Sequence, residues 1–87
     1  MSADAIARWM MSQIEEHDIL YQEEAVAEIA DGFGMEFTTE NALGNPAIRD
    51  DVLKTFRLLS GDTVVWVKNE RCWRKREPGD DPGRQQP

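Results

Sequence analysis

One histidine, His17, and one cysteine, Cys72, are the first candidates for acid–base or nucleophilic catalysis at neutral pH. A general base needs a nucleophile or a substrate pocket beside it, and His17 merely follows Glu15 and Glu16 near the predicted end of a helix. Cys72 falls in a predicted strand, where a free cysteine usually serves as a small packed residue. One histidine and one cysteine cannot supply a Cys/His zinc site. We therefore expect no enzymatic activity, no catalytic residue, no metal and no cofactor.

The glycines and carboxylates give no further sign of a catalytic or small-molecule site. The stretch Gly32-Phe-Gly34 ends a predicted helix instead of opening one, so it is not a phosphate-binding loop. The carboxylates are spaced like a solvated helix face, and Asp50, Asp51 and Asp62 lack the spacing of a calcium-binding loop. We expect no small-molecule substrate.

Basic side chains in the second half of the chain are the remaining candidates for a binding function. The net charge is −7, yet residues 1–40 hold ten acids and one base, whereas residues 68–87 hold six bases and four acids. Overall acidity disfavours non-specific coating of nucleic acid, but a basic end permits a directed contact with a charged partner. The candidates are Arg49, Lys54 and Arg57 on a predicted third helix, and Lys68, Arg71, Arg74, Lys75 and Arg76 on a predicted hairpin.

Two amphipathic helices are predicted in the acidic half of the chain. The first is capped by Ser2 and runs to about His17, with a stripe formed by Ile6, Trp9 or Met10, and Ile14. Residues 19–21 form a short apolar bridge, either extended or a one-rung strand. The second helix starts near Gln22 or Glu23 and ends between Gly32 and Gly34, with Val26, Ile29, Ala30 and Phe33 on its apolar stripe.

A third helix is predicted over residues 46–59, because Asn45 is a good cap and Pro46 suits the first helical position. Its apolar stripe comprises Ile48, Val52, Phe56 and Leu59. Residues 35–45, which precede it, are predicted to be irregular, since they are rich in Thr, Asn and Gly.

The segment 63–76 is predicted to be a β-hairpin, because its first half is β-branched and aromatic. A two- or four-residue loop would pair Trp66 with Trp73 on one face, whereas a three-residue loop would place the two indoles on opposite faces. We favour the Trp–Trp pair, since it gives the hairpin a large apolar side. Residues 78–87 contain no core-forming residue and are predicted to be a disordered tail.

These elements predict an α+β fold, in which three helices pack together and the hairpin lies across them. The order helix, short strand, helix, helix, hairpin resembles a winged helix over residues 1–77, although residues 34–45 make the connection between the second and third helices unusually long. The chain is also similar to a small bacterial family of uncharacterised proteins, through Arg8-Trp-Met10, the segment 20–30, the segment 52–56 and the hairpin with Trp73-Arg-Lys-Arg-Glu77. That resemblance implies a bacterial cytoplasmic protein and assigns no activity.

Two binding functions fit this sequence. Protein–protein interaction or homodimerisation is favoured, because acidic residues 1–40 and basic residues 68–87 suit a charged partner. The alternative is DNA binding through helix 46–59 and hairpin 63–76. Asp50 and Asp51 argue against it, because their carboxylates would face phosphates. The single cysteine favours a reducing cytoplasm, and the apolar run Val64–Val67 is too short to span a membrane.

Overall fold

The computed structural model describes residues 2–80 and 82–86, which fold into three α-helices and two small β-sheets. The domain is therefore α+β, as the sequence predicts. The elements are α1 (Ala3–His17), β1 (Ile19–Tyr21), α2 (Gln22–Gly32), a 3-10 turn (Met35–Phe37), β2 (Thr38–Glu40), β3 (Pro46–Ile48), α3 (Asp50–Ser60), β4 (Val64–Val67), β5 (Cys72–Lys75) and β6 (Gln85–Gln86). No helix in the described part of the chain is long and apolar enough to cross a membrane.

The first two helices lie where their periodicity predicts them. Ser2 caps α1 by accepting a hydrogen bond of 3.3 Å from the amide of Ala5, which satisfies one of the free donors of the first turn. Of the two alternatives for the α1 stripe, Met10 is fully buried, whereas Trp9 is half-buried and packs edge-on against Phe33 with ring centroids 5.8 Å apart. The apolar stripe of α1 therefore faces the core, and Trp9 packs α1 against the end of α2.

The larger sheet has the order β1-β5-β4-β6. The pairing of Trp66 with Trp73 confirms the favoured hairpin register, and the two rings lie 4.8 Å apart. β1 adds to the other edge of β5, with Leu20 opposite Trp73, so that the short apolar bridge is a strand. Because side chains alternate across a strand, Leu20, Trp66 and Trp73 share the face turned to the helices.

The prediction that a helix begins at Pro46 is wrong. Residues 46–48 form β3, which pairs with β2 in a second, two-stranded sheet, and α3 starts at Asp50. Asn45 is no helix cap, because this stretch is the end of a β-turn in which the Asn41 side chain accepts from the amides of Leu43 and Asn45. The region 35–45, predicted to be irregular, thus holds a 3-10 turn and one strand of a hairpin. The preference of Asn45 and Pro46 for a helix start is outweighed by the pairing of β3 with β2, which buries Ile48.

The buried side of α3 differs from the predicted stripe at one end. Val52 and Phe56 are buried as expected, but Leu59 is 39% exposed, and Ser60 is buried instead. Positions 52, 56 and 60 follow a strict spacing of four along the helix. The polar Ser60 is accommodated because its hydroxyl accepts a hydrogen bond from Arg84.

The tail predicted after a domain boundary at residue 77 comprises residues 78–87, of which residues 81 and 87 lie outside the described part of the chain. Residues 78–80 and 82–86 lie against the domain, and β6 pairs in parallel with β4, Trp66 opposite Gln85 and Val67 opposite Gln86. The physical reason lies in β4, whose four consecutive apolar residues are buried or nearly buried on both faces of the sheet. The helices cover one face, and the other face needs a cover that the helices cannot provide.

Candidate functional site

The side chain of Arg49, a predicted binding residue, contacts three other residues of its own chain. Its guanidinium donates to both carboxylate oxygens of Asp51 at 2.7 and 2.6 Å and to the carbonyl of Glu36 at 2.8 Å, and it lies 4.8 Å from the centre of the Phe37 ring. The hydrogen bond with Asp51 raises the pKa of Arg49 and lowers the pKa of Asp51. Arg49 therefore fastens the start of α3 to the 3-10 turn that precedes β2, and its charge is paired with that of Asp51.

Arg74 is paired with a residue of the C-terminal segment, the name used here for residues 78–80 and 82–86. Its two terminal nitrogens donate to the carboxylate of Asp80 at 2.9 and 2.8 Å, and this carboxylate also accepts from the amide of Glu77 at 2.7 Å. The hydrogen bond from Arg74 is the main reason that the pKa of Asp80 falls from 3.8 to about 2. Because the folded protein has the lower pKa, this stabilisation is present above about pH 3.8 and is lost as the pH falls towards 2.

Three more of the predicted basic residues contact their own chain. Lys75 forms an ion pair of 2.9 Å with Asp18, which follows α1. Arg76 donates to the carbonyl of Asp62 at 2.7 Å, and Arg71 donates to the side chain of Gln22 at 3.3 Å. These contacts tie β5 and its turn to α1, α2 and the start of β4.

The other three predicted cations are Lys54, Arg57 and Lys68, which are exposed and make no ion pair or side-chain hydrogen bond with residues 2–80 and 82–86. Lys54 and Arg57 lie on α3, and Lys68 lies in the turn between β4 and β5. Of the eight predicted cations, these three therefore carry no such partner among the described residues, and they lie on two separate elements.

A groove of about 830 Å³, here called the α2 groove, lies between the first half of α2, the β2–β3 hairpin and the turn after β4. Its surface includes two large apolar side chains, Tyr21 at 41% exposure and Met35 at 77%. The groove is lined by Tyr21, Gln22, Glu23, Glu24, Val26, Ala27, Ala30, Met35, Thr38, Asn45, Pro46, Glu70 and Arg71. Residues separated by up to 50 positions in the sequence therefore form one concave surface.

The charge of the α2 groove is negative. Glu23, Glu24 and Glu70 are exposed along it, and its one cation, Arg71, donates to Gln22. The helical periodicity that predicts α2 does not predict this groove or the place of Glu23 and Glu24 in it. Its one sequence signal was the set of apolar side chains outside the predicted stripes, such as Tyr21 and Met35.

A second, smaller groove of about 220 Å³ lies beside the paired tryptophans, between α3 and the C-terminal segment. It is lined by Gln22, Leu53, Phe56, Arg57, Trp66, Trp73, Arg84 and Gln85. Arg84 donates to the Ser60 hydroxyl at 2.8 Å and to the carbonyl of Gly61 at 3.1 Å, and its guanidinium lies 5.7 Å from the centre of the Phe56 ring. Arg84 therefore caps the C-terminal end of α3, where a cation is favoured by the helix dipole.

Arg84 was not among the predicted site residues. Burial lowers its pKa, and the nearby positive charges of Arg57 and Arg76 lower it further. No local pattern points to this residue, because its position follows from the return of the C-terminal segment to the sheet.

The single cysteine and histidine occupy different environments. Cys72 is fully buried in β5, and burial together with the negative charge of Glu70 raises the pKa of its thiol. His17 is exposed, with its Nε2 atom 3.9 Å from a carboxylate oxygen of Glu16. Within residues 2–80 and 82–86, no three His, Cys, Asp or Glu side chains are grouped to hold a metal ion.

Comparison with known proteins places this α+β domain in a family. Residues 2–75 match the model of the DUF6953 family, a family of unknown function. The chain belongs to this family, and the match covers α1 to β5 but not the C-terminal segment. No curated protein and no solved structure matches the chain.

Proposed function

We propose that this protein is a non-enzymatic binding module with a winged-helix-like fold, and that it binds another protein. The order α1, β1, α2, α3, β4, β5 supports the winged-helix assignment, with β4 and β5 as the wing and the β2–β3 hairpin as an insertion between α2 and α3. A bacterial cytoplasmic setting belongs to the same proposal. Self-association through the same surfaces is the variant of this function that light scattering tests.

The α2 groove is the observation that supports protein binding best. It combines exposed apolar side chains, Tyr21 and Met35, with an acidic rim formed by Glu23, Glu24 and Glu70. An apolar floor supplies affinity, and an uncompensated charged rim supplies orientation and selects the partner's charge. The partner that fits is a protein segment with basic residues flanking an apolar side chain.

We expect a fluorescently labelled peptide of alternating lysine and leucine residues to bind the α2 groove. The double variant Glu23→Gln, Glu24→Gln is expected to weaken binding about tenfold, because each rim charge contributes on the order of 0.5–1 kcal/mol at a partly exposed site. Fluorescence anisotropy at about 50 mM and 300 mM salt measures the affinity, and the difference between wild type and variant should shrink at the higher salt.

The matched control is Glu28→Gln with Asp31→Asn, which removes the same charge from exposed positions of α2 outside the groove. This control should bind the peptide nearly as wild type does. Equal weakening in both double variants would mean that the peptide senses only net charge, and the proposal for the groove would then fail. A substitution of Met35 by Ser should weaken binding at both salt concentrations if the apolar floor takes part.

DNA binding is the alternative function, and the exposed cations of α3 are the observation in its favour. Lys54 and Arg57 carry free charges on the helix that a winged helix would present to DNA. Asp50 is exposed in the first turn of the same helix and opposes phosphate, whereas Asp51 is neutralised by Arg49. Protein binding is favoured because five of the eight predicted cations are already engaged within the chain.

If DNA is the ligand, wild-type protein should retard a mixed-sequence 20-base-pair duplex in about 50 mM salt, and Lys54→Glu with Arg57→Glu should abolish retardation. These two residues are the right targets, because a change at Arg74 would break the pair with Asp80 and disturb the fold. Arg8→Glu, which also makes the chain more negative but at an exposed position of α1, serves as the control for a change in net charge. Absence of retardation by the wild type at low salt would rule out this alternative.

A further inference from the structure

The outer face of the larger sheet and the free edge of β4 are covered by the chain's own C-terminal segment. Val65, Val67 and Cys72 are buried although they face away from the helices and lie outside the main core. On the same face, Arg74 holds Asp80, so the segment after residue 77 passes over it. The segment then reaches β4, where the amides of Trp66 and Lys68 donate to its backbone carbonyls at 2.9 and 3.0 Å.

The side chain of Arg84 also anchors this segment. The guanidinium of Arg84 enters the groove beside the tryptophans, contacts the Phe56 ring and donates to Ser60 and Gly61. An extended strand that adds backbone hydrogen bonds to a sheet edge while one side chain enters a pocket is the usual arrangement of β-strand peptide recognition. The C-terminal segment is thus bound to its own domain in the way that a peptide ligand would be.

The residues that bind the C-terminal segment match the family model, whereas the residues of the bound segment do not. Phe56, Ser60, Gly61 and Trp66 all lie within the stretch 2–75 that matches the family model, whereas Arg84 and β6 lie beyond it. The acceptor is therefore part of the matched domain, and the occupant is not.

We infer that the edge of β4 and the Arg84 pocket form a second protein-binding site, whose ligand is an extended segment of a partner protein carrying an arginine at the position of Arg84. The chain's own residues 83–86 occupy this site until the partner segment displaces them. The site is independent of the α2 groove, and neither proposal rests on the other.

One feature favours displacement by a partner. Among the described residues, β6 pairs only with Trp66 and Val67, so a longer strand could continue along β4 past Val65 and gain pairing that residues 83–86 do not make. A second copy of this chain would have to release its own segment first, so exchange between copies gains no contact.

The test uses the full-length chain and a labelled synthetic peptide with the sequence of residues 78–87. The variant Arg84→Ala keeps the segment but removes its anchor, and it should therefore bind the peptide about tenfold more tightly than wild type, in which the tethered segment competes at a high effective concentration. Arg8→Ala is the matched control, because Arg8 forms only an exposed pair with Asp4 on α1. It should bind the peptide as weakly as wild type.

Peptide chemistry supplies the second comparison. A peptide with Glu in place of the arginine should not bind Arg84→Ala, whereas equal binding of both peptides would overturn the proposed recognition of arginine. No binding of the arginine peptide to Arg84→Ala would overturn the site itself. Concentration-dependent dimers of the wild type that Arg84→Ala abolishes would overturn the partner assignment in favour of exchange between copies.

Cys72 reports the same event without a labelled peptide, because its thiol is buried on the covered face. Reaction with a disulfide reagent should be about tenfold faster in Arg84→Ala than in wild type and should slow again when the peptide is added. If Arg84→Ala is unfolded by circular dichroism, Arg84→Lys replaces it, since one ammonium group cannot reproduce the planar two-donor contact with Ser60 and Gly61. An unchanged rate in the folded variant would contradict the proposed release.

Discussion

Removal of residues 78–87 is expected to lower the melting temperature by about 10 °C or more. The deletion uncovers the buried side chains of Val65 and Val67, and burial of one such side chain contributes about 1.5–3 kcal/mol. In a domain of this size, 1 kcal/mol shifts the melting temperature by about 4–8 °C. The deletion also removes Asp80 and leaves the partly buried Arg74 without its partner.

Thermal unfolding followed by circular dichroism measures this loss. The control is a chain that carries the same ten residues in scrambled order, which preserves length and composition but not the Arg74–Asp80 pair or the Arg84 anchor. The scrambled chain should melt near the deletion variant. A deletion variant that melts with the wild type would mean that the segment contributes nothing to stability, and that the original boundary at residue 77 describes the domain better.

The substitution Phe56→Ala is expected to destabilise the domain by about 3–5 kcal/mol, the usual effect of removing a buried aromatic ring. Phe56 is 1% exposed, its ring lies 5.5 Å from that of Trp73, and it also supports the guanidinium of Arg84. The cavity would therefore open between α3, the larger sheet and the C-terminal segment. A loss of this size is a large fraction of the stability of a small domain.

Urea unfolding followed by tryptophan fluorescence measures the effect, since Trp73 contacts the substituted ring. Leu58→Ala is the control on the same helix, because Leu58 is 80% exposed, and its free energy of unfolding should stay within about 0.5 kcal/mol of wild type. Similar losses in both variants would contradict the role of Phe56 packing, because helix propensity rises with alanine at either position and cannot explain a loss.

The periodicity of the sequence was sufficient to predict α1, α2 and the β4–β5 hairpin. Ser2, the apolar stripe through Ile6 and Ile14, and the stop near Gly32 are local signals, and the first two helices follow them closely. The pairing of Trp66 with Trp73 was predictable because a hairpin register depends on loop length and on which face must be apolar. These features depend on residues close together in the chain, so local sequence contains the information.

Tertiary structure decided the features on which the candidate sites depend. Pro46 could begin a helix or occupy a strand, and the choice was made by pairing with residues 38–40, which no local pattern reveals. Arg49, Arg74 and Arg76 looked like free cations, but partners such as Glu36, Asp80 and Asp62 become neighbours only after folding. A residue's type fixes what it can bind, whereas whether it remains available depends on which distant groups the fold brings within hydrogen-bonding distance.

The C-terminal segment shows both sides of this division. The apolar run Val64–Val67 is typical of a strand that is buried on two faces. Such a strand requires other residues to pack on the face that the helices do not cover. The sequence did not indicate that the polar residues 78–80 and 82–86 would supply that cover, because their contacts include the Arg74–Asp80 ion pair, the anchored Arg84 and backbone pairing, and not an apolar stripe of their own. Backbone hydrogen bonds are open to almost any sequence, so only the assembled sheet edge determines which segment forms them.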